Sequence, residues 1–198
     1  MYIEIDIPDG KSGNWSVETF EVPKEDLSQF ISMMKDGRGV PAGTYKRLTY
    51  KGSVVMSNTP DEISDFSRFA RQAKGSILIN GLGLGVLLKA LLDKEDITDI
   101  TVIEKSEDVI KLVANHYTDS RLNIIQADAF EYIPPKGKRY NYVWHDIWND
   151  ICTDNLKEMI ILHRKYGRKC DYQYSWCRER CEQQARQDKK DNRYNKYY

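Results

Sequence analysis

The sequence predicts an α/β fold: a Rossmann-like core on a truncated parallel sheet, with a small β-rich region before it and a helical extension after it. Three observations carry this. From Gly75 to Asp146, short apolar runs alternate with segments of helical period, the pattern of strands joined by crossovers into a parallel sheet. Within that stretch, SILIN passes into Gly81, Gly83 and Gly85 at alternate positions and then into VLLKALL. Glycines at such a strand-to-helix turn let a ligand approach the main chain without meeting a Cβ. Finally, Glu104 closes the next apolar run, Ile100 to Ile103, at the spacing where an acid accepts hydrogen bonds from ribose hydroxyls.

The elements follow in order. YIEID alternates, with Ile3, Ile5 and Ile7 on one face and Tyr2, Glu4 and Asp6 on the other, which predicts a strand. Trp15 to Val22 is a second extended run. Lys24 to Lys35 has Leu27, Phe30, Ile31 and Met34 at helical spacing. Tyr45 to Tyr50 and Ser53 to Met56 predict a hairpin turning at Lys51-Gly52. These segments make up the β-rich region, residues 1–57. Thr59-Pro60-Asp61-Glu62 reads as a capping box with proline at the first helical position, and Ile63, Phe66, Phe69 and Ala73 recur at helical spacing before Gly75. The core, residues 58–150, then runs strand 76–80, helix 84–93, strand 99–104, helix 107–117, strand 122–127 and, after a Pro134-Pro135 loop, strand 140–146. Its strands are apolar throughout, as strands covered on both faces are. In the extension, residues 151–198, helices are expected from Asp154 to Tyr166 and from Trp176 to Gln187. The one further strand candidate, Tyr172 to Trp176, is polar, and the end, DKKDNRYNKYY, reads as frayed.

At 198 residues, 40% apolar and 30% charged, the chain is long enough for one globular domain with a sizeable core. Zero net charge gives no global steering toward nucleic acid or acidic membranes, although residues 151–198 carry twelve Lys and Arg against seven Asp and Glu. No apolar run approaches the ~20 residues of a membrane span. MYIEIDIPDG lacks the basic start and apolar stretch of a signal peptide, so the expected location is cytoplasmic, with no membrane partner. Cys152, Cys170, Cys177 and Cys181 read as free thiols. Cys177 and Cys181 would share a helix face, but no CxxC pair supports zinc, and no metal is expected.

In an open parallel sheet the ligand lies beyond the carboxyl ends of the strands, where strand order reverses. Four predicted strand ends carry suitable groups: the loop Asn80-Gly81-Leu82-Gly83-Leu84-Gly85, Glu104 with Lys105, Asp128 with Ala129, and Asp146. Each also has a plain structural role: a turn for the glycines, a solvated strand end for Glu104, and caps for Asp128 and Asp146. Trp144 and Trp148 either wall a pocket or fill the core, and His145 either relays protons or hydrogen-bonds inside the core. Arg164, Lys165, Arg168 and Lys169 suit a helix C-terminus. With Arg178, Arg180 and Arg186 they offer a nucleic-acid contact, which a solvated face explains better.

Residues 75–150 resemble the class I S-adenosylmethionine-dependent methyltransferase fold, and more narrowly its spermidine synthase-like branch. GSILINGLGLG resembles the glycine motif, TVIEKSEDVIKLV the acidic strand and following helix, NIIQADAFEYI the Asp-Ala motif, and YNYVWHDIW the fourth-strand motif. The resemblance implies S-adenosylmethionine as cofactor. The loop from Gly81 to Gly85 would face its methionine part, Glu104 its two ribose hydroxyls, Asp128 and Ala129 its adenine, and Asp146 the sulfonium and the incoming nucleophile. A carboxylate suits that last place, since it attracts a cation and can hold or deprotonate an amine. There are departures. Asn149 stands where polyamine synthases carry a second aspartate, and HDIW differs from the Asp/Asn-Pro-Pro-Tyr/Phe motif of amino-methylating nucleic-acid enzymes. The implied function is a methyltransferase of open acceptor with Asp146 as its catalytic residue. The alternatives are aminopropyl transfer and a non-catalytic cofactor-binding or assembly module.

Overall fold

The core is assembled around the strand that precedes the glycine loop. The computed structural model describes residues 3–24 and 39–194, with side chains through Asp191. Apart from Lys24, the helix expected from Lys24 to Lys35 lies outside the described residues. Strands β1 (Gly10–Ser12), β2 (Trp15–Val22), β3 (Gly43–Tyr50) and β4 (Ser53–Ser57) form one antiparallel sheet in that order. The hairpin between β3 and β4 turns at Lys51 (φ 50°) and Gly52 (φ 82°), two left-handed residues that match the twist of the strands they join.

Strands β5 (Gly75–Asn80), β6 (Ile97–Glu104), β7 (Leu122–Gln126), β8 (Tyr140–His145) and β9 (Cys170–Ser175) form the second sheet, ordered β7-β6-β5-β8-β9 and parallel throughout. Helix α1 (Pro60–Gln72) leads into β5, α2 (Val86–Leu92) joins β5 to β6, and α3 (Glu107–Val113) with a short 3-10 turn joins β6 to β7. Helix α4 (Asn155–Tyr166) joins β8 to β9, and α5 (Arg178–Tyr194) follows. The chain steps outward from β5 through β6 and β7, then returns to the opposite side of β5 as β8. Strand order therefore reverses at the β5–β8 pair, so this is the switch point.

Alternation along β5 divides the core. Ile77 and Ile79 face a cluster with α1, α2, α3 and the N-terminal sheet, through Phe66, Phe69, Leu88, Val109, Val17 and Leu48. Leu78 faces the other cluster, with Val143, Met159, Leu162 and Tyr166. Ion pairs lie outside the core: within α5, Arg178 and Arg186 both reach Glu182, while Arg180 ties α5 to Asp65 of α1. Among the described residues no helix is long and apolar enough to cross a membrane.

Several local expectations change. Ile3, Ile5 and Ile7 are buried and Glu4 and Asp6 exposed, as the alternation requires, but residues 3–9 pair with no strand. The capping box does not close. Thr59 makes no side-chain cap bond, its hydroxyl lying 3.0 Å from Ser57 Oγ, and Glu62 turns back to accept from the Ser57 amide and hydroxyl at 2.7 and 3.0 Å. The polar Tyr172 candidate is real: Cys170–Ser175 is the fifth parallel strand, so the extension contributes to the sheet as well as adding helices. The tail from Asp188 is helical as far as Tyr194. Cys177 precedes α5 with φ 50°, whereas Cys181 is buried.

Leu78 is fully buried at the centre of the parallel sheet. Leu78→Ala is expected to lower unfolding free energy in urea by ~2–5 kcal/mol, the range for emptying such a site.

Candidate functional site

The glycine loop leaves β5 between the ends of its two neighbours. Gly81 donates its amide to Ile103 O of β6 at 2.8 Å, and the Asp146 amide donates to Asn80 O at 2.8 Å. Gly81 has φ 100°, and a Cβ there would overlap the Asp146 carbonyl oxygen. Only glycine lets the three strand ends meet this closely.

Glu104 ties the loop down. Its Oε2 accepts from Leu82 N at 2.9 Å and its Oε1 from Ser106 N at 2.7 Å. Burial pushes its carboxyl above the usual range, and the backbone amides it binds oppose that shift. The other loop amides are also engaged: Leu84 N donates to Met56 Sδ at 3.3 Å and Gly85 N to Leu82 O at 2.8 Å. Between Gly81 and Gly85, Gly83 has the one amide with no partner among the described residues.

At the end of β7, Asp128 does two jobs. Its Oδ1 accepts from Phe130 N at 2.8 Å, which starts a turn. Its Oδ2 takes a 2.8 Å ion pair from Lys105, whose hydrogen bond holds the carboxyl below the usual range. Asp146 keeps a partly exposed surface but is otherwise enclosed by protein. Desolvation pushes its carboxyl up to about 7, with smaller contributions from Glu62 and Asp65, against one long 3.4 Å bond from Trp144 Nε1. Glu62 is itself raised to about 7, again chiefly by burial.

These groups share one cleft of about 300 Å3. Its core side is formed by Gly81, Gly83, Glu104, Lys105, Asp128, Ala129, Asp146 and Trp148, and the opposite wall by Trp15, Leu48, Val55 and Met56 of the N-terminal sheet. Three expected residues stand elsewhere. Asn80 is fully buried beneath the loop, its Nδ2 2.8 Å from His145 Nδ1. Leu82 is buried, and Gly85 backs onto Tyr117. Trp148 both packs in the core and lines the cleft, with its indole donating to Glu158 at 2.7 Å. His145 is fully buried and held near pKa 3 by desolvation, a neutral hydrogen-bonded group and not a proton relay. The sequence reading missed the N-terminal wall, because nothing in a hairpin's alternation says which element its inner face will meet.

No family model matches the chain, and no curated protein matches it. Among solved structures it is similar to a spermidine synthase from Thermotoga maritima, at 17% identity over 79% of this chain and 52% of that one, with a TM-score of 0.46. It is also similar to a spermidine synthase in complex with the transition-state analogue AdoDATO, at 14% identity over 83% and 54%, with a TM-score of 0.46. The plantazolicin methyltransferase BpumL in complex with SAH is a third, at 17% identity over 55% and 41%, with a TM-score of 0.40. The chain spans about half the length of these structures. The α/β assignment rests on strand order and parallel pairing.

Two predictions follow from the site's geometry and charge. Gly81→Ala meets both a left-handed φ and the Asp146 carbonyl, and is expected to cost at least ~2 kcal/mol of stability in denaturant titrations. Asp146 carries a folded pKa of about 7 against an ordinary value of 3.8, so its stabilising contribution is complete below pH 4 and is lost as pH rises through 7. Asp146→Asn should therefore gain stability relative to the natural chain between pH 5 and pH 8. A pH-independent difference would show that Asp146 titrates normally.

Proposed function

We propose that the chain is an S-adenosylmethionine-dependent transferase, most simply a methyltransferase, working in the cleft at the β5–β8 switch point. One observation supports this most: the charged residues lining the cleft are Glu104, Lys105, Asp128 and Asp146, all from the strand ends where an adenosyl cofactor of this fold would be read. The donor set fits such a group better than a dinucleotide. Cradling a pyrophosphate takes several bare amides, and this loop keeps one, at Gly83. The two Glu104 oxygens accept chiefly from Leu82 N and Ser106 N, with a further backbone contribution from Lys105, and a carboxylate's lone pairs still leave room for a ribose hydroxyl. Asp128 and the adjoining Ala129 offer an acceptor and a backbone edge to the adenine.

When bound, the cofactor supplies an electrophilic carbon on a sulfonium. The chain's own residues position and electrostatically support the transfer. Asp146, near neutrality at about 7, would accept a proton from the attacking group or hold a cationic one in place. Trp144 orients its carboxyl, while Trp15, Leu48 and Trp148 help keep water from the reacting atoms. The cleft's one lining cation, Lys105, is tied to Asp128, leaving a surface ill-suited to a phosphate backbone. The acceptor we infer is therefore an amine, hydroxyl or thiol on a small molecule or protein, and not nucleic acid.

Calorimetry with S-adenosylmethionine and S-adenosylhomocysteine tests the reading. Both should bind, and failure of both would overturn it. Glu104→Ala should weaken S-adenosylhomocysteine by about tenfold or more, ~1.4 kcal/mol. Asp146→Asn should keep that affinity within about threefold while abolishing transfer to the acceptor found in an amine, alcohol and protein panel. Preference for the decarboxylated cofactor would instead indicate aminopropyl transfer, and tight binding without turnover would indicate a module.

A further inference from the structure

The N-terminal sheet reaches the glycine loop through the side chain of Met56. Leu48 pairs with Met56 and Thr49 with Val54, so β4 holds one residue more than β3 and Val55 is a bulge. In a regular strand Val55 and Met56 would point to opposite faces. Here both line the cleft. Met56 is half-buried, and its Sδ accepts from Leu84 N at 3.3 Å. A Cβ on Gly83, which has φ 52°, would overlap that sulfur. The glycine at 83 thus makes room for a thioether supplied by the chain itself. With Leu82 N on Glu104 and Leu84 N on Met56, the loop end of the cleft is already occupied.

We propose that Met56 is the specificity-determining residue of the cleft: its thioether fills the glycine-loop end, so a nucleoside thioether seats without disturbance, while a ligand that extends an amino-acid chain to the loop must first displace Met56. This rests on the reading of the cleft as an adenosyl-cofactor site. Met56 taxes long ligands by competition and leaves short ones untouched, and the bulge at Val55 is what aims it there.

Two probes separate the cases: 5′-methylthioadenosine, which ends at the thioether, and S-adenosylhomocysteine, which carries the amino-acid chain. By calorimetry, Met56→Ala should tighten S-adenosylhomocysteine at least about fivefold and change 5′-methylthioadenosine by less than about twofold. Met56→Val, which also shortens the side chain but suits a strand, should shift the same way, so a poorly folded alanine variant leaves the test intact. Met56→Leu keeps the volume and should match the natural chain on both ligands. Unchanged or weaker S-adenosylhomocysteine binding in a shortened variant that still binds 5′-methylthioadenosine would overturn the inference, as would tightening by Met56→Leu. If neither probe binds the natural chain, the cofactor reading itself fails. If both bind and Met56 has no effect, this inference alone fails.

Discussion

The site depends on one carboxylate bridging two pieces of backbone. Glu104 accepts from Leu82 in the glycine loop and from Ser106 at the start of α3, so the exits of β5 and β6 are tied to a single planar group. A buried carboxylate is costly unless its oxygens are satisfied, and here each is satisfied by an amide that needs a partner as well. The clamp fixes the loop conformation. The loop brings Gly81 against the Asp146 carbonyl, and that contact sets where β8 ends. Removing the carboxylate would release two backbone amides and loosen the loop, so Glu104 acts on the scaffold first.

The core was legible because its signals are local and redundant. β5, β6 and β8 are apolar on both faces, and each ends in a residue type that strand interiors rarely use. β9 was harder to read because it is an edge strand with exposed Asp171 and Tyr172, so its composition resembles a loop. Residues 3–9 mislead in the opposite way. Alternation reports which side chains are buried and says nothing about whether a neighbouring strand is present to pair with. The capping box failed through competition: Ser57, just upstream, offers Glu62 an amide and a hydroxyl at once. At the site, the acids at the ends of β6, β7 and β8 line the cleft as their positions suggested, whereas Asn80 lies on the Leu78 side of β5 and turns inward. Met56 carried no signal, because its role depends on a bulge and on the docking of one sheet against another.

The two sheets therefore divide the labour. The parallel sheet supplies every charged group of the cleft, from the ends of β6 and β8, which have ladders on both sides, and of β7, which pairs with β6 alone. The antiparallel sheet supplies an apolar and aromatic wall, in which Trp15 is backed by Tyr50 with ring centroids 4.8 Å apart. Ser12 hydroxyl to Asp108 carboxylate, at 2.7 Å, fastens that wall to α3. Burial away from water is the main physical origin of the raised Asp146 carboxyl, with the nearby acids Glu62 and Asp65 adding to it.

Behind the loop runs a thread of neutral polar groups whose proton positions are mutually determined. Gln173 Nε2 donates to His163 O at 2.9 Å, which leaves its Oε1 to accept from His145 Nε2 at 3.2 Å. His145 Nδ1 is then the acceptor for Asn80 at 2.8 Å. The thread crosses β5 to β8 in register, since Asn80 pairs with His145, and then runs diagonally to β9, where Gln173 pairs with Val143 and lies two residues before Ser175, the partner of His145. A two-residue slip of β9 that carried Gln173 toward Asn141 would keep every side chain on its face but would leave His145 Nε2 without its acceptor in the interior, with Nδ1 still held by Asn80. The polar edge strand, too weakly apolar to choose its own alignment, is thereby indexed by a single tautomer.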